Sequence, residues 1–300
     1  MRKTAGLIVL LSILFCFCTS NASDKTKAGT NAKSDDAQKE TFQYDLAKPA
    51  ANWTLPAELK EVSGNSYIDA THFLLIEDLH PILYLMRLEK DKAVIEKQIP
   101  FAEVSDKKFD IEDIAVSGNT AYALWSHGVV YKIENWKGQS QVKELNTDLD
   151  KKNNTEGLCV DPVSGNLLIA CKNEAGMDDE KKSDGAIYDF DLSKGKLNSD
   201  PFLVIEKKEF AKVADEELKF YPSTVAVHPG THDVYVLSTK TSKGMVVYTH
   251  DGKIKSYQPI NANIMPQPEG ICFSPDGNSL YISTEGRHGE PAKLYQFNKK

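Results

Sequence analysis

One unit recurs five times along this 300-residue chain. It reads as a polar or acidic residue, a small step, an apolar run, a turn rich in Pro, Gly and Asn, and a second apolar run. The clearest copies run from Glu156-Gly157-Leu158-Cys159-Val160 to Leu167-Leu168-Ile169 and from Glu269-Gly270-Ile271-Cys272-Phe273 to Leu280-Tyr281-Ile282. Weaker copies begin at Glu61, Glu112 and Ser223, so successive units are 51, 44, 67 and 46 residues apart. A period of about 40–50 residues with β-rich runs is the spacing of propeller blades, four strands each. A two-layer sandwich has no reason to repeat one unit five times.

Further β-like runs follow each pair. Gly128–Ile133, Ala186–Phe190, Gly244–Tyr248 and Lys293–Phe297 read as third strands, and Ala93–Ile99 and Val142–Leu145 as outer ones. The long interval is expected to hold an inserted helix over Lys207–Phe220, with Phe210, Val213, Ala214 and Leu218 at helical spacing. The chain ends after a third strand, so Phe42–Leu46 is expected to supply the missing fourth and close the ring without a free sheet edge. The expectation is an all-β fold, a β-propeller of five blades of four antiparallel strands, with six blades as the alternative.

The ordered set Leu59–Gly64, Asp110–Ala115, Asn154–Leu158, Tyr221–Pro229 and Gln267–Ile271 resembles the SdiA-regulated, YjiK-like family over roughly residues 45 to 298. That family is distantly similar to paraoxonase-type and NHL-repeat propellers. The resemblance implies a five-bladed propeller, an exported or membrane-attached location and a bound calcium ion, and it implies no established reaction.

The first strand of each propeller blade lines the central channel, so Glu61, Glu112, Glu156, Ser223 and Glu269 are expected to converge on one axis. At ~7 Å and an effective dielectric of ~20, each carboxylate pair repels by roughly 2.4 kcal/mol. Arginine is scarce, and no repeat places one beside these acids. A hard cation taking several oxygens would relieve the repulsion, which points to calcium on Glu61, Glu112, Glu156 and Glu269, with Asn154 and Asp113 as further donors. The alternative is that the glutamates face a wet channel or cap strand amides.

The N-terminus carries an address. Arg2 and Lys3 precede a short apolar stretch, Thr4–Phe15, too short to span a bilayer. It ends at Cys16-Phe17-Cys18 with no Ala-x-Ala site, which resembles a bacterial lipobox. Lipidation on Cys18 is expected, with Cys16 the second choice; a plain secretory signal or an uncleaved anchor are the alternatives. Residues 19–41 are polar and form a tether with a reach of roughly 25 Å. The domain reading is therefore 1–18 signal, 19–41 tether and 42–300 propeller. The location expected is the cell envelope, lipid-anchored on the periplasmic or cell-surface side, with secretion as the alternative. A net charge of -7 gives no drive toward nucleic acid.

Other chemistry is sparsely marked. The chain lacks a Gly-x-Ser-x-Gly elbow, a phosphate loop and a GxGxxG step. Asp178-Asp179-Glu180 with Asp184 lacks the order of an EF-hand and reads as a solvated loop. His228 and His232 flank a Pro-Gly turn, not a zinc helix, while His127 and His288 are rim candidates. Cys159 and Cys272 match in register and are expected to pack between blades, and a Cys159–Cys171 bridge is a minor alternative. Two functions remain: a calcium-binding envelope propeller holding a protein or small-molecule ligand on one face, or a calcium-dependent hydrolase of lactones or phosphate esters.

Overall fold

The computed structural model describes residues 40–103, 108–172, 185–215 and 217–300. The chain divides into two units, Met1–Ala37 and Gln38–Lys300, and the described residues belong to the second. The expected lipidation site Cys18, nearly all of the tether and the acidic run Asp178–Asp184 lie outside them.

The described residues form twenty-one strands. After β1 (Ala51–Thr54), blade one is β2 (Val62–Tyr67), β3 (His72–Glu77), β4 (Ile82–Leu88) and β5 (Ala93–Pro100). Blade two is β6 (Ile111–Ser117), β7 (Thr120–Trp125), β8 (Val129–Glu134) and β9 (Gln141–Asn146). Blade three is β10 (Thr155–Val160), β11 (Leu167–Cys171) and β12 (Gly185–Asp191), with its outer strand split into β13 (Lys196–Leu197) and β14 (Leu203–Ile205). Blade four is β15 (Pro222–Val227), β16 (Val234–Ser238), β17 (Gly244–Tyr248) and β18 (Ile254–Pro259). Blade five is β19 (Pro268–Phe273), β20 (Ser279–Thr284) and β21 (Lys293–Asn298), completed by β1. All pairings between these strands are antiparallel.

The burial pattern explains the architecture. Second strands are buried on both faces, as in β11 (LLIAC) and β16 (VYVLS), because each sheet is sandwiched between two neighbours. The outer strand β9 is almost wholly exposed. Five apolar clusters fill the five interfaces between successive blades, ending with the seam between blades five and one. Five sheets and five seams close the ring and exclude the six-blade alternative.

Two local expectations are corrected. The closing strand is β1, which pairs Ala51 with Gln296 and Thr54 with Lys293, and not Phe42–Leu46. That earlier segment makes a single bridge, Tyr44 to Lys299. Its alternating Phe42, Tyr44 and Leu46 are buried in the seam between blades four and five, where the Tyr44 hydroxyl donates to the Gly277 carbonyl at 2.6 Å. Period-two alternation is equally suited to a strap over an apolar groove. Among the described residues, the Lys207–Phe220 insertion forms a 3-10 turn, Lys207–Lys212, with no side-chain cap at Glu206, in place of the expected helix. Phe210, Leu218 and Phe220 still bury against blades three and four. Burial was read correctly there, but so short and uncapped a segment does not sustain an α-helix.

The ring is tight at its middle. The five equivalent positions are Gly64, Asp113, Gly157, Thr224 and Gly270. Asp113, only 1% exposed, accepts from its own neighbour Ile114 N–H (2.8 Å), from Leu158 N–H of blade three (2.9 Å) and from the Thr224 hydroxyl of blade four (2.6 Å). The glycines make room for this: a Cβ on Gly157 would lie 2.8 Å from Thr224 Cα, and one on Gly64 2.6 Å from Asp113 Oδ1. Gly157→Ala is therefore expected to destabilise the propeller by about 1–3 kcal/mol in urea denaturation. A change under 0.5 kcal/mol would show that the waist is looser than described.

Candidate functional site

Each innermost strand carries a β-bulge near its start. The extra residue is Ser63 in blade one, Glu112 in blade two, Glu156 in blade three and Ser223 in blade four. In blade five the register shift spans Glu269 and Gly270. A bulge re-aims a side chain out of the alternation, and here it produces one ring above the waist. The repeat alignment in blade one was thus off by two residues: Ser63, not Glu61, corresponds to Glu112. Glu61 corresponds to Asp110, Asn154 and Gln267, the residues just before each first strand. It sits at the rim, 39% exposed, 3.3 Å from Lys60.

A second ring comes from the residue that follows each second strand: Asp78, Ser126, Lys172, Thr239 and Glu285. The antiparallel pairing brings these back beside the bulges, and most are fixed by a repeated bond. Asp78, Ser126, Lys172 and Glu285 donate backbone N–H to Glu61, Asp110, Asn154 and Gln267 at 2.9–3.3 Å. In blade four Thr239 N–H donates to Ser223 Oγ at 3.1 Å instead.

The two rings enclose a cavity of about 470 Å³. All four expected glutamates, Glu61, Glu112, Glu156 and Glu269, line it. So do Lys172, Lys240, Lys243 and Arg287. The sequence reading, which found no arginine beside the acids in any repeat, thus missed these cations. The cations come from the ends of second strands and the loops after them, not from the strand starts. Lys172 Nζ is paired with Glu156, and the Asn154 amide donates to the same carboxylate. Asn154 thus presents its N–H₂ to the acid, so its side-chain oxygen is not the donor expected, and Asp113 is spent in the waist. His127 stacks on Trp125 at 4.7 Å, and His288 is exposed; neither lines the cavity. His228 is a turn staple whose Nδ1 accepts from Gly230 and Thr231 N–H.

The electrostatics follow from burial and crowding. Glu112 is raised well above the usual carboxylate range by burial, then by Glu156 and Asp110, and it makes no hydrogen bond or ion pair among the described residues. Glu269 is pushed up to about 8 by burial, Glu285 and Glu156, although Thr239 Oγ1 lies 3.3 Å from its Oε2. Glu285 rises to about 7 through burial and Glu61, and Asp78 to about 6 through burial, Glu77 and Glu61. Burial also raises Glu156, against the pull of Lys172. Burial alone would lower Lys172, but Glu156 holds it above the ordinary lysine value.

The calcium expectation can be tested on this donor set. The carboxylates are hard ligands of the right kind. Yet among the described residues no three His, Cys, Asp or Glu side chains stand close enough together to hold a metal ion. The Lys172 ammonium occupies the side of Glu156 that a cation would use. The residues as arranged do not fit calcium unless Lys172 moves aside.

At the other end of the channel, beyond the waist, lies a separate cavity of about 260 Å³, bordered by Tyr67, Cys159, Val227, Cys272 and Phe273. Burial raises both thiols, so they behave as apolar groups. Cys159, Cys171 and Cys272 are all free.

No protein-family model matches the chain, and no curated protein sequence matches it. Solved structures do. Glutaminyl cyclase from Myxococcus xanthus superposes with a TM-score of 0.57 at 11% identity, over 84% of this chain and 97% of that one. Virginiamycin B lyase from Staphylococcus aureus gives a TM-score of 0.45 at 14% identity, over 82% of this chain and 73% of that one. At such identity the likeness concerns the fold: this chain is a β-propeller, of five blades, with a polar entrance on one side of a plugged waist.

Proposed function

We propose that this chain is a ligand-binding propeller of the cell envelope whose entrance cavity recognises a cationic group. The observation that carries the reading is Glu112, a carboxylate inside a 470 Å³ cavity with no internal partner and with acids crowding it. A cation placed there offsets the burial and the crowding by Glu156 and Asp110 that disfavour its charged form. The buried Ser63 hydroxyl, 8% exposed and also unpaired, borders the same space. Lipid attachment at Cys18 and the polar tether would hold the propeller at a membrane surface, and the resemblance to SdiA-regulated propellers supports that setting. Calcium is one cation of the right chemistry, and its entry would require Lys172 to leave Glu156.

Calorimetry with calcium chloride and with methylammonium on the full chain tests the reading. Glu112→Gln is expected to weaken binding at least tenfold. Glu269 and Glu285 are protonated at pH 6 and ionise toward pH 8.5, so cation affinity should rise over that interval. Binding that is unchanged in Glu112→Gln, or that weakens as pH rises, would refute the assignment.

A second reading rests on Glu269. A carboxylic acid still protonated near neutral pH is poised as a general acid. Hydrolysis of lactones or phosphate esters that disappears in Glu269→Gln would establish it.

A further inference from the structure

The entrance cavity is polarised across the ring. Blades one and two contribute Glu61, Asp78, Asp110 and Glu112 to its wall, and no basic residue. Every basic residue of the wall, Lys172, Lys240, Lys243 and Arg287, comes from blades three, four and five. Within the second half the charges are only partly cancelled. Lys172 is taken by Glu156, and Arg287 Nε stands 3.7 Å from Glu285. The Lys240 side chain has no ion pair among the described residues. Lys243 Nζ rests on the Pro266 carbonyl, and burial with the nearby Arg287 depresses its proton affinity. One side of the cavity therefore lacks a cation, and on the other Lys240 and Lys243 have no carboxylate at ion-pair distance among the described residues, although Glu156, Glu269 and Glu285 also line that side.

We propose that the cavity takes a zwitterion, a free α-amino acid or dipeptide, with its ammonium against Glu112 and its carboxylate against Lys240 and Lys243. The inference rests on the cationic-group reading above and extends it. A simple cation relieves blades one and two but adds to the crowding of Lys243 and Arg287. A simple anion does the reverse. Only a ligand bearing both charges lowers both repulsions. The unpaired Ser63 hydroxyl, on the acidic side, supplies a neutral partner that this ammonium can donate to. A volume of about 470 Å³ accommodates a molecule of this size.

The test is thermal denaturation of the full chain with each of the twenty free α-amino acids and with a mixed pool of dipeptides, followed by calorimetry on the members that raise Tm. At least one is expected to bind. Acetylating its amine or amidating its carboxylate should each cost tenfold or more in affinity. Glu112→Gln should remove the discrimination against the acetylated form, and Lys243→Gln the discrimination against the amide. Equal binding of the amidated ligand would overturn the zwitterion inference and leave the cation reading standing. Silence of every amino acid and dipeptide, with methylammonium still bound, does the same. Silence of methylammonium and calcium as well overturns both.

Discussion

Asp113→Ala is expected to cost the propeller about 3–5 kcal/mol at pH 7. The substitution strands two buried amides, Ile114 N–H and Leu158 N–H, and the Thr224 hydroxyl, which together link blades two, three and four. Each orphaned buried donor costs about 1–3 kcal/mol. Burial pushes the Asp113 carboxyl up to about 8, against the three bonds that favour its charged form. The unfolded chain gives the proton up near 3.9. The folded state thus holds a proton that the unfolded state loses, and this contribution to stability, complete below about pH 4, drains away as pH rises toward 8. Glu269 acts in the same direction. Wild-type urea midpoints should accordingly fall between pH 5 and pH 8, and Asp113→Asn should flatten part of that slope. A midpoint that rises with pH, or an alanine variant within 1 kcal/mol of wild type, would refute the role given to this side chain.

Lys172→Met is the second large effect. It removes the ion-pair partner that Glu156, a carboxylate 5% exposed, has among the described residues. Breaking one half of a buried pair costs about 3–5 kcal/mol when the remaining charge cannot neutralise. Here it can. Burial already raises Glu156, and loss of Lys172 removes the main pull that lowers it, so the cost of the substitution shrinks as pH falls. The variant is expected to lose about 3 kcal/mol at pH 8 and measurably less at pH 5. Calcium should raise its Tm at pH 8 more than that of wild type, since the side of Glu156 used by the ammonium is then open. A loss equal at both pH values would mean that Lys172 contributes packing, not charge.

The order of strands was largely readable from the chain. The acid–strand–turn–strand unit is local, and burial on both faces of second strands writes itself as unbroken apolar runs such as Leu167–Cys171. Even the third strands fall where Val129–Glu134 and Lys293–Asn298 form. The closing strand was misplaced because β1 (ANWT) is short and only partly buried, while Phe42–Leu46 has the stronger alternation.

The site was legible in part. Glu112, Glu156 and Glu269 were recognisable by type at matched positions, and the structure brings them into one cavity with Glu61. Ser63 was missed because blade one has a serine where blades two, three and five carry Glu, and the nearby acid Glu61 drew the alignment two residues too early. Lys172 was missed because only strand starts were compared. The residue after each second strand, Asp78, Ser126, Lys172, Thr239 and Glu285, was the signal that would have found it.

The propeller architecture and most of the strand content followed from the amino-acid order alone, with five blades preferred to six, since hydrophobic alternation and turn residues act over a few neighbours in the chain. Three features needed the folded ring: the ammonium that meets Glu156, the plug that Asp113 forms against Leu158 and Thr224, and the confinement of the entrance's basic residues to blades three to five. Each depends on side chains 16 to 111 residues apart. Their meeting is set by antiparallel register and by blade closure, and no local pattern encodes either.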